Sequence, residues 1–122
     1  MRLICRMHEL SITESIISTV LESAKKHDVT KILKIHLEVG ELNDLKAEWI
    51  QFYFDTLSKD TIADGAQIEV HVKPSEFTCH RCGEVFALDL KSVVKVTCPK
   101  CESTDCSLSG GSEFYIRDME AV

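Results

Sequence analysis

The sequence lacks the features expected of a membrane protein or a nucleic-acid-binding protein. No run of about 18 apolar residues occurs, so no segment is predicted to span a bilayer. Acidic residues outnumber basic ones by 20 to 14, and the net charge of −6 disfavours binding to nucleic acid or anionic lipid. Residues 1–6 are too short and too charged for a signal peptide. We therefore expect a cytoplasmic protein with no membrane or nucleic-acid partner.

Recognisable catalytic sets are missing as well. The sequence contains no Ser-His-Asp arrangement, no phosphate-binding glycine loop and no metal site with an open position. His27, His36 and His71 are scattered along the chain, and the last two fall on the polar phase of predicted strands. We interpret these histidines as surface residues, and the sequence as that of a protein that is not an enzyme.

What the sequence does have is six cysteines, four of which form two C-x-x-C pairs separated by fifteen residues. These are Cys79 with Cys82, and Cys98 with Cys101. Two such knuckles facing each other can supply the tetrahedron of thiolates that Zn²⁺ takes in structural sites. Because all four positions are filled by sulfur, the pattern predicts a structural zinc rather than a catalytic one.

Two neighbours of the knuckles leave alternatives open. His80 lies inside the first knuckle and could replace a thiolate, although an exposed loop histidine is the simpler interpretation. Cys106 follows the last predicted ligand by five residues, and we interpret it as a small packing residue or spare thiol, with a role as a metal ligand as the lesser alternative.

Hydrophobic periodicity predicts two helices and three strands outside the cysteine region. Residues 10–27 repeat apolar side chains at helical spacing, and Ser11-Ile12-Thr13-Glu14 resembles a capping box that would start this helix just after Glu9. A second helix is predicted over residues 47–58, with Trp49, Phe52, Tyr53 and Leu57 as its apolar side. Alternating patterns predict strands over residues 31–39, 67–73 and 113–117.

The cysteine region interrupts this pattern and is expected to be an insertion between two strands of an α+β domain. The predicted fold class is α+β, with two helices on a three-stranded antiparallel sheet and an inserted zinc-ribbon module. The expected division is residues 1–74 plus 108–122 for the α/β domain, and residues 75–107 for the zinc ribbon.

Several of these motifs together resemble the hydrogenase nickel-incorporation proteins of the HypA/HybF family. The resemblance rests on Met7-His8-Glu9-Leu10-Ser11-Ile12, on Gly40-Glu41-Leu42, on Cys98-Pro99-Lys100-Cys101 and on Glu113-Phe114-Tyr115-Ile116. It implies a metallochaperone that carries Ni²⁺ as transient cargo and assists its insertion into [NiFe]-hydrogenase. It also implies nickel binding through Met7, His8 and Glu9, and as partners a nickel-handling GTPase and the hydrogenase large subunit.

Ligand chemistry is compatible with that implied nickel site. If Met7 were the first residue, its amine, the His8 amide nitrogen and imidazole, and the Glu9 amide nitrogen could surround a square-planar Ni²⁺. Six residues precede Met7, so three readings stay open. Translation starts at Met7, which we favour; or the Met7 amide serves instead of an amine; or Cys5 supplies a thiolate.

A different class of function also fits the cysteine pairs. Zinc ribbons serve as protein-interaction or nucleic-acid-binding modules, and this is the alternative to nickel delivery. The acidic charge balance disfavours the nucleic-acid version. The sequence leaves open which enzyme would receive the nickel and whether the protein works as a monomer or a homodimer.

Overall fold

A computed structural model describes residues 2–43, 45–88 and 95–122, with side chains from Glu9 onward. Two helices and six strands follow one another along the chain. They are α1 (Arg2–Lys26), β1 (Ile32–Gly40), α2 (Ala47–Leu57), β2 (Gln67–Lys73), β3 (Ser75–Cys79), β4 (Val85–Leu88), β5 (Cys106–Gly110) and β6 (Phe114–Ala121). The predicted α+β class with two helices is confirmed. Within the described residues, no helix is long and apolar enough to cross a membrane.

The first helix begins earlier than the capping box predicts. Helix α1 starts at Arg2, so Ser11 lies inside it and the box is not formed. Ser11 and Glu14 are both exposed, whereas the buried stripe passes through Thr13 and Ile16. The box residues therefore occupy the solvent face of a continuing helix, where their side chains have no free amide of a first turn to bind.

The second helix buries a different face from the one predicted. Ile50 and Phe54, one turn apart, are fully buried, while Phe52 is 56% exposed and Leu57 is also exposed. Helix α2 packs against α1. Since α2 carries apolar residues on more than one side, the sequence could not show which side faces its neighbour.

The first sheet has the strand order β2-β1-β6. Strands β1 and β6 are antiparallel, because Lys31 pairs with Val122 near one end and Gly40 with Glu113 near the other. The contacts between β1 and β2 follow the same order along both strands: Lys34 contacts Glu69, and His36 contacts His71. That pair is therefore parallel, and the prediction of an antiparallel first sheet is wrong for β1 and β2. The reason is that α2 connects these strands, and a crossover through a helix allows parallel pairing.

The second sheet has the order β4-β3-β5 and is antiparallel throughout. Strand β3 lies in its centre and buries Ser75, Phe77 and Cys79. Phe77 stacks on Phe86 of β4, with ring centroids 6.1 Å apart. The chain connecting β4 to β5 carries the second cysteine pair, so the sheet holds one pair at the end of β3 and the other in this connection.

By compactness the chain divides into two units. One comprises Met1–Leu37, Leu45–His71 and Ile116–Val122, and the other comprises Glu38–Asp44 and Val72–Tyr115. The domain boundaries expected from the sequence stay a prediction.

Close backbone approach explains the Gly40-Glu41-Leu42 motif. A methyl group at Gly40 would overlap the carbonyl of Gly111. The Leu42 amide donates to that same carbonyl at 2.8 Å, and the Ser75 hydroxyl, which is buried, donates to the Glu41 carboxylate at 2.7 Å. Residues 40–42, which follow from the end of β1, are therefore held tightly against the backbone at Gly111.

Alanine in place of Gly40 is expected to destabilise the protein by about 3 kcal/mol, the upper end of the usual cost of overpacking, because the atoms it meets are backbone. Gly110→Ala is the matched control, since its methyl group would mainly meet the movable Glu76 side chain. Urea denaturation of both variants measures the difference. Equal stabilities of the two variants would contradict the close approach at Gly40.

Candidate metal centres

Two knuckles with the same backbone geometry hold the paired cysteines. In the first, the Cys79 amide donates to the Glu84 carbonyl at 2.9 Å, and the Gly83 amide donates back to the Cys79 carbonyl at 2.9 Å. The second knuckle, which starts at Cys98, repeats both bonds at the same spacing. The residue after each pair takes a positive φ, 81° at Gly83 and 63° at Glu102. This turn directs both sulfurs of a pair toward the same point.

The four sulfurs of the two knuckles form one cluster. Cys79 Sγ lies 3.6 Å from Cys101 Sγ, and Cys82 Sγ lies 3.5 Å from Cys98 Sγ. All four atoms lie within 4.8 Å of one another. Sulfurs at 2.3 Å from a tetrahedral Zn²⁺ would be about 3.8 Å apart, so the observed spacing fits a zinc ion. Cys79 and Cys98 are buried, while Cys82 is exposed.

Hydrogen bonds to and among the four sulfurs separate the pKa values of Cys79 and Cys82. The Cys82 amide donates to the Cys79 sulfur and, with other donors, lowers the pKa of Cys79 to about 6. The Glu84 amide acts to lower the pKa of Cys82, but the partial desolvation of its sulfur and the hydrogen bonds with the other three sulfurs outweigh that effect and raise the pKa to about 12. Without a cation, the cluster is therefore a mixture of thiolate and thiol at neutral pH, and a divalent ion would displace the remaining protons.

Zinc binding is expected to strengthen as the pH rises. At pH 7 the Cys82 thiol, with a pKa of about 12, must lose its proton to become a ligand. Below about pH 6 Cys79 is protonated too, and the affinity should fall more steeply. Zinc titration calorimetry in two buffers of different ionisation enthalpy measures the released protons. An apparent enthalpy that is the same in both buffers would contradict this competition.

Cys106 and His80, the two residues near the knuckles that the sequence left open, lie outside the sulfur cluster. Cys106 sits opposite Cys79 in the β3–β5 register, and its sulfur contacts the Ser103 carbonyl at 3.6 Å. Burial raises the pKa of the Cys106 thiol. His80 is exposed. Among the described residues, the cluster therefore contains only the four cysteines of the pairs.

The predicted nickel segment lies in helix α1. Met7, His8 and Glu9 all belong to the helix, but the side chains of Cys5, Met7 and His8 lie outside the described part. Glu9 is only 3% exposed, and its carboxylate accepts the Lys46 amide at 2.9 Å, at the start of α2. A carboxylate there interacts favourably with the helix dipole. The Glu9 side chain therefore links α1 to α2.

A histidine cluster that the sequence did not reveal lies on the first sheet. His36 Nδ1 is 2.9 Å from His71 Nε2, and Glu69 completes a group of possible metal ligands within 4.8 Å. The interpretation of His36 and His71 as scattered surface residues is therefore wrong for this pair. Their shared polar phase was visible in the sequence, but the pairing of β1 with β2 was needed to bring them together.

The fold and the sulfur cluster define a small α+β metal-binding protein with a zinc-type thiol site. A family model described as "Hydrogenase/urease nickel incorporation, metallochaperone, hypA" matches residues 7–121. The chain therefore belongs to the HypA family, and the resemblance seen in the sequence is confirmed.

Relatives and solved structures agree with this assignment. The hydrogenase maturation factor HypA of Caldanaerobacter subterraneus is 36% identical over 115 residues, which cover 93% of this chain and 98% of the relative. HypA of Dehalococcoides mccartyi strain 195 is 38% identical, with 93% of each chain covered. A solution structure of a HypA protein aligns with a TM-score of 0.72 at 25% identity, covering 95% of this chain and 97% of that one. The solution structure of the nickel metallochaperone HypA from Helicobacter pylori aligns at 0.62 and 23% identity, covering 93% and 97%, which bears on the fold alone.

Proposed function

We propose that this protein is a nickel metallochaperone that binds Ni²⁺ and assists its insertion into [NiFe]-hydrogenase. The observation that carries the proposal is the family match, which begins at Met7 and continues to residue 121. The match therefore includes both the Met7-His8-Glu9 segment and the two cysteine pairs. In this role the protein transfers an ion and does not catalyse a reaction of its own.

Cys79, Cys82, Cys98 and Cys101 would hold the structural zinc. Their sulfur spacing and the matched knuckles support this assignment. Four thiolates would bring two more negative charges than Zn²⁺ carries, and would leave no position for a reactive water. The zinc then stabilises the surrounding fold and takes no part in carrying nickel.

Nickel would bind at Met7, His8 and Glu9 through nitrogen atoms. In an α-helix that begins at Arg2, the amides of these three residues donate to carbonyls four positions earlier. In a chain that began at Met7, the Met7 nitrogen would be a free amine, and the His8 and Glu9 amides would be in the first turn, where amides have no partner within the helix. A start at Met7 would thus free three nitrogen donors without breaking a helical hydrogen bond.

The carboxylate of Glu9 would have a positioning role in this arrangement. It is buried and already accepts the Lys46 amide, so Glu9 would contribute its backbone nitrogen to nickel rather than its side chain. The same contact would fix the nickel-binding end of α1 beside the start of α2. We expect this end to face the partners, a nickel-handling GTPase and the hydrogenase large subunit in the cytoplasm, because transfer requires both ligand sets to approach the ion.

A nickel titration of zinc-loaded protein tests the assignment of His8. His8→Ala is expected to lose one bound Ni²⁺ per chain, because the imidazole and its chelate ring are removed. His27→Ala is the control, because His27 follows the other end of α1. There its Nδ1 is hydrogen-bonded to the Ser23 carbonyl at 2.8 Å. Unchanged nickel stoichiometry in His8→Ala would refute the proposed site.

A further inference from the structure

We propose that His36, His71 and Glu69 form a second binding site, for a divalent transition-metal ion, on the polar face of the first sheet. The site lies on strands β1 and β2 and shares no residue with the cysteine cluster or the Met7 segment. It stands on geometry alone and does not depend on nickel being the cargo of the protein.

The distance between the two imidazoles suits a shared ion. His36 Nδ1 and His71 Nε2 are 2.9 Å apart. Two nitrogens bound at about 2.1 Å and at right angles around one ion would be about 3.0 Å apart. The Glu69 oxygens lie 3.8 Å from His36 Nδ1 and 3.9 Å from His71 Nε2, so a small side-chain movement would complete three ligands.

A carboxylate behind His36 orients this imidazole for metal binding. Glu120 Oε2 lies 2.8 Å from His36 Nε2, on the opposite side of the ring from His71. When Nε2 donates its proton to Glu120, the lone pair is on Nδ1 and points at the proposed ion. Metal-binding histidines usually have such a carboxylate partner, which fixes the tautomer and increases the basicity of the ligand.

The proposed site is largely buried on the His36 side and open to solvent on the side of His71 and Glu69. The His36 side chain is 12% exposed, whereas His71 is 33% and Glu69 46% exposed. An ion could therefore enter from solvent and keep positions for water or for a ligand of another molecule. Imidazole nitrogen and carboxylate oxygen suit Ni²⁺, Zn²⁺ and related ions, with Ni²⁺ favoured over Co²⁺.

The charges nearby are mostly negative. Asp118 lies 3.9 Å from His36 Nε2, so it adds to Glu69 and Glu120. Lys34 is the competing cation, with Nζ 3.3 Å from Glu69 Oε2. Its hydrogen bond lowers the pKa of Glu69 and keeps that carboxylate ionised, but the same ion pair must loosen when Glu69 turns to the metal. Lys34 should therefore weaken binding without preventing it.

Nickel titrations followed by calorimetry and by imidazole nitrogen NMR test the proposal on the zinc-loaded chain. Ni²⁺ should shift or broaden the His36 and His71 signals, and His71→Ala should bind one ion fewer than the parent. Glu120→Gln should weaken this site about 10- to 100-fold, as expected for loss of the carboxylate behind a ligand. Lys34→Gln should strengthen it.

A hydrogen-bonded histidine pair without metal affinity is the competing explanation. It predicts unchanged His36 and His71 signals at excess Ni²⁺ and the same stoichiometry in His71→Ala, and either result would overturn the proposal. The His8→Ala variant keeps the two proposals distinguishable. If it retains both ions while His71→Ala loses one, the Met7 site fails and the sheet site stands.

Discussion

Serine in place of Cys82 is expected to abolish zinc retention and to unfold the segment around the four sulfurs. Among the described residues of the compact unit that contains this segment, the buried apolar side chains are Val39, Phe77, Cys79 and Cys98. Such a small core cannot offset the entropy of ordering the chain without help. Structural zinc sites supply about 10 kcal/mol of apparent binding free energy in small domains, so losing the ion should be decisive.

The measurement is zinc content after dialysis against a chelator, together with urea denaturation. The parent should keep about one zinc per chain and Cys82→Ser almost none. Cys106→Ser is the matched control, because Cys106 is opposite Cys79 in the sheet but outside the sulfur cluster. It should keep its zinc and most of its stability. A Cys82→Ser protein with zinc and an unchanged unfolding curve would overturn the four-thiolate site.

A chain that starts at Met7 is expected to bind nickel about 100-fold more tightly than the 122-residue chain. In the longer chain, nickel must displace the helical hydrogen bonds of the Met7, His8 and Glu9 amides. Each bond contributes about 1 kcal/mol net, so three of them correspond to about a hundredfold in affinity. In the shorter chain the Met7 nitrogen is also a free amine, which is a stronger donor than an amide.

Isothermal titration of both chains with Ni²⁺ measures this difference, and an N-acetylated form of the shorter chain is its control. Acetylation blocks the amine but leaves the amides in the first turn of the helix. The acetylated form should lose the part of the affinity that the amine contributes. Equal nickel affinities of all three forms would exclude nitrogen donors at Met7 as the ligands.

The zinc-type cluster could be predicted because its determinants are local. Two cysteines three apart on a turn direct their sulfurs to one point whatever the rest of the fold is, and the matched pairs required only that the two turns meet. The alternation along residues 31–39 and 67–73 likewise identified β1 and β2, since the side-chain period of a strand is independent of its partner.

The predictions that failed concern features that depend on residues elsewhere in the chain. The meeting of His36 with His71 follows from the parallel pairing of β1 and β2, which no local pattern reveals. The choice of Ile50 and Phe54 as the buried face of α2 follows from its packing on α1. The capping-box sequence at Ser11 formed no helix start, because the helix already extended beyond it.

The central claim is that zinc and nickel occupy chemically distinct sites, sulfur for the first and nitrogen for the second. X-ray absorption at both metal edges tests it on zinc-loaded His71→Ala protein starting at Met7, with one equivalent of Ni²⁺ added. The account predicts zinc with four sulfur neighbours at about 2.3 Å and nickel with nitrogen or oxygen neighbours only. Sulfur in the first shell of nickel, or zinc with fewer than four sulfurs, would contradict it.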